Sequence, residues 1–207
     1  MRAAPALVLL GLLASLIAAL LTGDTVTGID TFLNGALGPY RARELLVAFA
    51  WLTQLGAGPA ITVAVAVASV FLWAAGRRRD LAALWIVWLG AAATTWSAKY
   101  LISRGRPDFL DVASASSPSF PSGHTIMAMA VYGFLAYVLT RPLARRRDRI
   151  AVLASTALLI LSIGFSRIFL SVHFASDVIA GLLAGGVWLL VGIAVAERGA
   201  RDGQPLL

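Results

Sequence analysis

Six apolar runs divide this chain and restrict the folds open to it. They cover residues 5–22, 59–75, 81–102, 121–140, 150–165 and 177–196. A helix needs about 20 mostly apolar residues to cross a bilayer, and only segments with internally bonded backbones are stable in lipid. The sequence therefore predicts an all-α, polytopic membrane protein whose six transmembrane helices form a single domain over residues 1–207.

The first apolar run stands where a signal peptide would. Arg2 precedes it, but the run is longer than a usual signal-peptide core, and no clean small-residue cleavage site lies beside Thr22. We therefore expect residues 5–22 to be retained as the first membrane helix.

The segments between the first and second runs are predicted from their breaker residues and length. Residues 23–43 hold four glycines and Pro39, so we predict a loop there. Residues 44–55 are apolar but too short to cross alone, and 56–59 interrupt them, so we predict an interfacial helix leading into the second span. Pro121 is expected to open the fourth helix, because proline is favoured in the first turn.

The basic residues predict the orientation of this helical domain. Clusters at 77–79, 141–149 and 197–201 fall on one side of a six-helix arrangement, and such clusters mark the cytoplasmic side. Both termini are then cytoplasmic, and the protein lies in the cytoplasmic membrane with residues 23–43, 103–120 and 166–177 facing outward. The net charge of +7 does not indicate nucleic-acid binding, because the cations lie in short loops between apolar runs.

Four arginines break this charge rule on the outward face: Arg41, Arg43, Arg104 and Arg106. A charge in an unfavourable place at a membrane is a candidate for function. Lys99, the only lysine, Arg104 and Arg106 lie near the outer end of the third run and would form an anion pocket if they converge. The alternative for each is a side chain that lifts its charge to the headgroups, and Arg104 is interpreted as a candidate headgroup contact.

A cation, an imidazole and a carboxylate occur together between Ser166 and Asp177. His173 and Asp177 are four residues apart, so a helix through both would place the two side chains on one face. A carboxylate that accepts the proton of one ring nitrogen leaves the other nitrogen with a free lone pair, able to attack an electrophile. Arg167 would add a planar set of donors suited to a phosphoryl group.

The second histidine, His124, follows Ser122 and Gly123 at the outer start of the fourth run. Backbone N–H groups at a helix N-terminus are unpaired and carry partial positive charge, so Ser122 and Gly123 are candidates to hold phosphate oxygens. His124 would then be placed to donate a proton to a leaving oxygen. The alternative is an interfacial histidine near a helix cap, but both histidines of the chain occur at predicted outer helix ends.

Together these segments resemble a known signature. The type 2 phosphatidic acid phosphatase superfamily, also called the lipid phosphate phosphatases, has a three-part pattern to which this chain is similar in Lys99-x6-Arg106-Pro107, Pro121-Ser122-Gly123-His124 and Ser166-Arg167-x5-His173-x3-Asp177. All eleven fixed residues are present in order across motifs 99–107, 121–124 and 166–177. The six predicted spans agree with the membrane branch of that family, whose active site lies at the extracytoplasmic helix ends.

The resemblance implies a role for each matched residue. His173 would be the nucleophile that forms a phosphohistidine, Asp177 would orient it, and His124 would be the general acid and afterwards the base that activates water. The phosphoryl oxygens would be held by Lys99, Arg106, Ser122, Gly123 and Arg167. The family works without a metal, so no cofactor is expected.

Other polar and aromatic residues of the outward face suit structural roles better than chemistry. Asp108 and Asp111 could form a magnesium pair, but two loop aspartates without further carboxylates are more often solvated. Trp96, Phe109 and Phe120 are expected to belong to an aromatic belt at the membrane boundary.

The sequence thus predicts an enzyme that dephosphorylates a lipid phosphate of the bilayer. Undecaprenyl or a related polyprenyl pyrophosphate is the first choice of substrate, because outward recycling of that carrier suits the topology; phosphatidylglycerophosphate and phosphatidic acid come next. Vanadate-dependent haloperoxidases have a similar site, but six spans argue against them. The other alternative is a non-catalytic lipid-phosphate binding or transport protein, although holding an anion requires cations and not a histidine with an orienting carboxylate.

Overall fold

The computed structural model describes residues 3–22, 24–107 and 117–201, and in these residues the regular structure is helical, with no β-strand. The helices in chain order are α1 (Ala3–Thr22), α2 (Asp24–Ala36), α3 (Arg43–Thr53), α4 (Gly58–Ala74), α5 (Arg78–Ile102), α6 (Gly123–Met127), α7 (Gly133–Thr140), α8 (Arg146–Phe169) and α9 (Ala175–Arg201). A π-helical turn joins α6 to α7 in one continuous span.

The prediction of an all-α, polytopic membrane fold is confirmed. In the described residues, the segments that are long and apolar enough to cross a bilayer alone are Ala4–Thr22, Arg78–Ile102, Gly123–Thr140, Arg146–Phe169 and Ala175–Arg198. A sixth span arises if Arg43–Gly56 and Gly58–Ala74 are counted together, although the pair bends by 42° at its junction. The helix expected at residues 44–55 is therefore α3, the first half of this bent pair.

The loop predicted at residues 23–43 is wrong, because α2 occupies most of it. Gly28 lies inside α2 with nothing within 4 Å of where a Cβ would stand, so this glycine neither ends the helix nor packs tightly. The buried residues of α2 are the polar Asp30 and Asn34, one turn apart. Tertiary contacts through these two side chains override the weak helix propensity that glycine gives the segment.

The start of the fourth span also differs from expectation. The helix begins at Gly123 and not at Pro121, because Ser122 keeps an extended backbone and stands as the N-cap residue. The N–H of Ser122 donates to the Asp177 carbonyl at 3.0 Å, which fastens the start of α6 to α9.

Helix α9 lies at the centre of the bundle and packs against α1, α5 and α6. Its glycines allow close approach: a Cβ at Gly192 would lie 2.3 Å from Val87 of α5, and one at Gly185 would lie 2.7 Å from the Ile126 carbonyl. Helices in lipid associate mainly through such close packing, because the lipid is as apolar as their side chains. The position of α9 therefore sets where the ends of α5 and α6 stand relative to Asp177.

An ion-pair cluster marks the end of the bundle where α5 begins. Asp80 is 6% exposed and accepts hydrogen bonds from Arg77 and Arg141, each at 2.7 Å. Lys99 lies 19 residues further along α5, about 28 Å away at a helical rise of about 1.5 Å per residue. The basic loops and the signature residues are therefore at opposite ends of the bundle, as the charge pattern predicts.

Candidate active site

The three signature segments come from distant parts of the chain and meet at one end of the bundle. Lys99 lies in the last turn of α5, and Arg167 lies in the last turn of α8. His124 is in the first turn of α6 and Asp177 in the first turn of α9. His173 lies in the turn that joins α8 to α9.

The second imidazole and the predicted cations lie near enough to His124 to influence its charge. His124 lies within electrostatic range of four other signature residues: Arg167, His173, Lys99 and Arg106. Cations that converge at a half-buried site repel one another unless an anion binds between them. The arrangement therefore suits a ligand with several negative charges.

His173 is buried beside Asp177, but no helix runs through both residues. Helix α8 ends at Phe169, Ser171 has a positive φ of 54°, and α9 begins only at Ala175. Nδ1 of His173 lies 3.4 Å from Oδ2 of Asp177, longer than an ordinary hydrogen bond, and has no hydrogen-bond partner among the described residues. The four-residue spacing thus brings the pair together through a turn and a helix start, which corrects the expected helical face.

The carboxylate of Asp177 is fully buried and is held by donors from separate segments. Its Oδ1 accepts a hydrogen bond from Arg104 at 2.7 Å. Its Oδ2 accepts one from the backbone N–H of Phe174 at 2.9 Å and a short one from the hydroxyl of Ser119. A buried carboxylate needs such donors, and they fix its orientation beside His173.

Burial lowers the pKa of His173 to about 4, with Asp177 opposing this shift and Arg167 and Arg106 adding to it. The imidazole is therefore neutral at physiological pH. Because its Nδ1 faces the carboxylate, Nε2 is the nitrogen that carries the free lone pair. A neutral, oriented ring of this kind can act as a nucleophile.

Lys99 and Arg106 are both anchored to the segment that precedes α6. Lys99 donates a short hydrogen bond to the carbonyl of Pro118. Arg106 donates to the carbonyls of Ser117 at 2.9 Å and of Val172 at 2.6 Å. An ammonium carries three N–H donors and a guanidinium five, so both cations retain donors for a ligand.

Among the described residues of the site, Arg167 is the cation with a buried N–H donor that lacks an acceptor. Its Nη1 donates to the hydroxyl of Thr53 at 2.8 Å, while its Nε is buried and has no hydrogen-bond partner among the described residues. A buried donor without an acceptor costs about 1–3 kcal/mol, and more when it is charged. An anionic ligand would supply the missing acceptor.

The amide groups at the start of α6 are only partly available to a ligand. The N–H of Ser122 is bonded to Asp177, so the prediction that it holds phosphate is wrong for this group. The hydroxyl of Ser122 is buried and accepts a hydrogen bond from Thr125 at 3.0 Å. The N–H groups of Gly123 and His124, in the first turn, have no intrahelical carbonyl to bind and remain candidates for phosphate oxygens.

His124 lies against the 3₁₀ turn that links α3 to α4. A Cβ at Gly56 in this turn would lie 3.2 Å from Cβ of His124 and 2.7 Å from Ile163, so glycine is required for the close approach. The same bend carries Thr53, which holds Arg167. The break in the second span therefore positions both the candidate acid and a candidate phosphate ligand.

The motifs do not include the residues that support the signature side chains. Arg104, interpreted above as a headgroup contact, instead bonds Asp177 and Asp30 inside the site. Two features of the sequence pointed to this role: Arg104 is a cation on the predicted outward face, and Asp30 is a possible acidic partner on the same face. Thr53 and Ser119 gave no signal, because an isolated hydroxyl in a membrane protein has many ordinary uses.

The exposed fractions of Trp96 and Phe120 test whether these side chains belong to an aromatic belt. Trp96 is 55% exposed on the outside of α5, as an aromatic belt requires, but Phe120 is 1% exposed and packs inside the protein. Phe120 is therefore wrongly assigned, since the chain turns inward before α6. Phe109, Asp108 and Asp111 lie outside the described residues.

Known proteins share parts of this sequence. A family model described as the PAP2 superfamily matches residues 80–200. A phosphatidylglycerophosphatase B of Bacillus subtilis is 38% identical over 89 residues, which cover 42% of this chain and 43% of that protein. A lipid A 1-phosphatase of Rhizobium etli is 35% identical over 154 residues, covering 62% of each chain. The chain thus matches less than two thirds of the length of either relative.

A solved structure resembles nearly the whole chain. The crystal structure of a transmembrane PAP2-type phosphatidylglycerolphosphate phosphatase from Bacillus subtilis matches with a TM-score of 0.85 at 25% identity. The match covers 98% of this chain and 98% of that chain. The similarity of fold therefore includes α1 to α4, which lie before the family match.

Proposed function

This chain belongs to the PAP2 superfamily, and we propose that it is a membrane lipid phosphatase that transfers the phosphoryl group of its substrate to His173 and then to water. We also propose that residues 1–207 form one catalytic domain, because α1 and α2 both pack against α9, and Asp30 of α2 bonds Arg104 and Ser176. The observation that carries the proposal is the unpaired, buried Nε of Arg167 in a site that also holds a neutral imidazole.

In the first step, Nε2 of His173 attacks phosphorus, and the bond from phosphorus to the leaving oxygen breaks. His124, in its protonated form, donates a proton to that oxygen and becomes neutral, so that an alcohol or a lipid monophosphate departs. Charge on the phosphoryl oxygens is stabilised by fixed donors, each worth about 3 kcal/mol of activation free energy. These donors are Lys99, Arg106, Arg167 and the N–H groups that open α6.

In the second step, water attacks the phosphohistidine. The nitrogen–phosphorus bond breaks, His124 takes a proton from the water, and inorganic phosphate leaves. Throughout, Asp177 favours the tautomer with the proton on Nδ1 of His173. The cycle returns both imidazoles to their starting state and consumes one water.

The substrate we propose is a lipid that keeps its tail in the bilayer while its phosphate enters the site. An apolar groove of about 850 Å³ lies between α4 and α7, and Leu55 at its edge is next to Gly56, which contacts His124. The phosphatidylglycerophosphatase B and the solved Bacillus subtilis structure favour phosphatidylglycerophosphate, and the lipid A 1-phosphatase favours a phosphorylated lipid A. The topology argument favours polyprenyl pyrophosphate. The predicted orientation, with the site facing outward and both termini cytoplasmic, is part of this proposal.

A substrate panel tests the function. Purified protein is expected to release phosphate from at least one of phosphatidylglycerophosphate, phosphatidic acid and polyprenyl pyrophosphate in detergent micelles, without added metal and in the presence of EDTA. Release is measured as inorganic phosphate over time, and kcat/KM ranks the lipids. Binding of these lipids without any release would instead favour the lipid-phosphate binding protein.

Replacing Arg167 with lysine is expected to lower kcat/KM on every active lipid by about 10²-fold. Lysine keeps the positive charge but loses the planar fork and the Nε donor. Arg43→Lys is the matched control, because Arg43 is exposed at the start of α3 on the same side of the bundle. Equal activities of the two variants would remove Arg167 from the phosphate site.

The low pKa of His173 predicts that activity is retained to an unusually low pH. Protonation removes the lone pair, so the nucleophile is expected to fail only as the pH falls towards about 4, and not near the ordinary value of about 6.5. The same shift means that His173 costs folding free energy below about pH 6.5 and has no such effect above it. In the His124→Gln variant His173 is the only histidine, so a ¹⁵N NMR titration reads its pKa directly; a midpoint near 6.5 would contradict the prediction.

A further inference from the structure

Helix α2 carries a buried carboxylate that the proposed reaction does not use. Asp30 is 2% exposed, and its Oδ2 accepts hydrogen bonds from Nη2 of Arg104 at 2.8 Å and, at shorter range, from the hydroxyl of Ser176. Its Oδ1 accepts the backbone N–H of Ser176 at 2.9 Å. Ser176 lies in the first turn of α9, where a negative charge is favoured. These bonds therefore fasten α2 to the start of the helix that carries Asp177.

Arg104 joins this carboxylate to the one beside His173. Its Nη2 binds Asp30, while its Nη1 donates to Oδ1 of Asp177 at 2.7 Å and to the hydroxyl of Ser176 at 2.8 Å. The guanidinium also lies over the ring of Phe174, 4.3 Å from its centre. Because the two carboxylates hold both amino groups of one planar fork, the guanidinium cannot turn without breaking one of these bonds.

The hydrogen bond from Arg104 to Oδ1 affects how the carboxylate of Asp177 is oriented towards the imidazole of His173. The terminal torsion of an aspartate is broad, so a carboxylate bonded on one side only can rotate. Arg104 occupies Oδ1, and Oδ2 then faces Nδ1 of His173 at 3.4 Å. Loss of the Oδ1 partner would leave the carboxylate held only at Oδ2, by Ser119 and the N–H of Phe174, so that it could shift about that oxygen. Such a shift would weaken its preference for one tautomer of the ring.

An ion pair that only holds two helices together is the simpler explanation, and it would have no effect on the ring. The contacts here instead run as a largely buried chain from Asp30 through Arg104 and Asp177 to His173. We propose that Asp30 and Arg104 are positioning residues: Asp30 fixes the guanidinium of Arg104, which aims Asp177 at Nδ1 of His173 and keeps Nε2 free. The inference rests on the proposed role of His173 as the nucleophile.

Histidine tautomers provide a test that does not depend on activity. The chain has only two histidines, so protein labelled with [¹⁵N]histidine gives two sets of ring signals, assigned with His124→Gln. His173 is expected to be protonated at Nδ1 in the wild-type protein and to become a mixture of tautomers in Asp30→Asn and in Arg104→Lys. Asp24→Asn is the matched control, because Asp24 lies exposed at the start of the same helix.

Kinetics on the best lipid of the panel supply the second readout. Asp30→Asn and Arg104→Lys are each expected to lower kcat by at least tenfold while KM changes less than twofold, and Asp24→Asn is expected to change neither. In an Asp177→Asn background, Asp30→Asn should have no further effect, because the residue through which it acts is already altered.

The outcomes separate this inference from the proposed function. If wild-type protein releases phosphate but neither positioning variant changes the tautomer of His173, the inference is overturned, whatever happens to kcat. If no lipid is hydrolysed, the proposed function fails, while a tautomer shift confined to His173 still supports the positioning. If Asp30→Asn alters the ring signals of His124 as well, the fold of that variant is disturbed. The tautomer of His173 in Arg104→Lys then decides the test.

Discussion

His173→Ala is expected to lose phosphate release by about 10⁴-fold or more, the scale seen when a nucleophile is removed from a site that still binds its substrate. Alanine retains no lone pair to attack phosphorus, and the surrounding cations then hold a lipid phosphate without transferring it. The measurement is kcat for phosphate release from the most active lipid of the panel, compared with wild type under saturating conditions.

Because His173 is buried, a failed fold must be distinguished from failed chemistry. His173→Asn keeps a polar side chain beside Asp177 and should show the same loss. Both variants should elute as wild type in size-exclusion chromatography and should still bind the lipid with a Kd near the wild-type value. A folded variant with more than a tenth of the wild-type kcat would exclude His173 as nucleophile.

His124→Gln is expected to separate the two halves of the reaction. On a lipid phosphate with an alcohol leaving group, kcat should fall by about 10²–10⁴-fold, because general acid catalysis is lost. An aryl phosphate needs little help in departure, so its phenol should appear as a burst of about one equivalent before slow turnover. The slow phase reflects water attack without a base.

The burst amplitude is the informative quantity. It is measured by rapid mixing of p-nitrophenyl phosphate with His124→Gln, and wild type provides the control, with no burst expected if its second step is fast. A linear time course for the variant, with kcat lowered equally on aryl and alkyl phosphates, would assign His124 to substrate binding and not to proton transfer.

The sequence predicted the membrane fold because apolar length is a direct physical requirement of the bilayer. It also predicted that Lys99, His124 and His173 share one end of the bundle, since charge placement orients every span at once. These predictions depend on properties summed over many residues, which one substitution hardly alters.

The predictions that were wrong concern features that depend on single contacts between distant segments. Nothing local marks residues 23–43 as helical, because α2 is held by bonds about 140 positions later in the chain: Asp30 to Ser176 in the first turn of α9, and Asn34 to Ser171 in the segment between α8 and α9. The N–H of Ser122 is likewise lost to a ligand only because Asp177 lies opposite. Periodicity and motif spacing carry no information about such pairings.

The central claim is that His173 takes the phosphoryl group, and it is tested most directly by isolating the covalent intermediate. His124→Gln is mixed with ³²P-labelled substrate, quenched at alkaline pH within the burst phase, digested and sequenced by mass spectrometry. We predict an acid-labile, base-stable label of up to one equivalent on His173, absent from the His173→Asn, His124→Gln double variant. Turnover of the substrate with no label on His173, or with the label on another residue, would contradict the account.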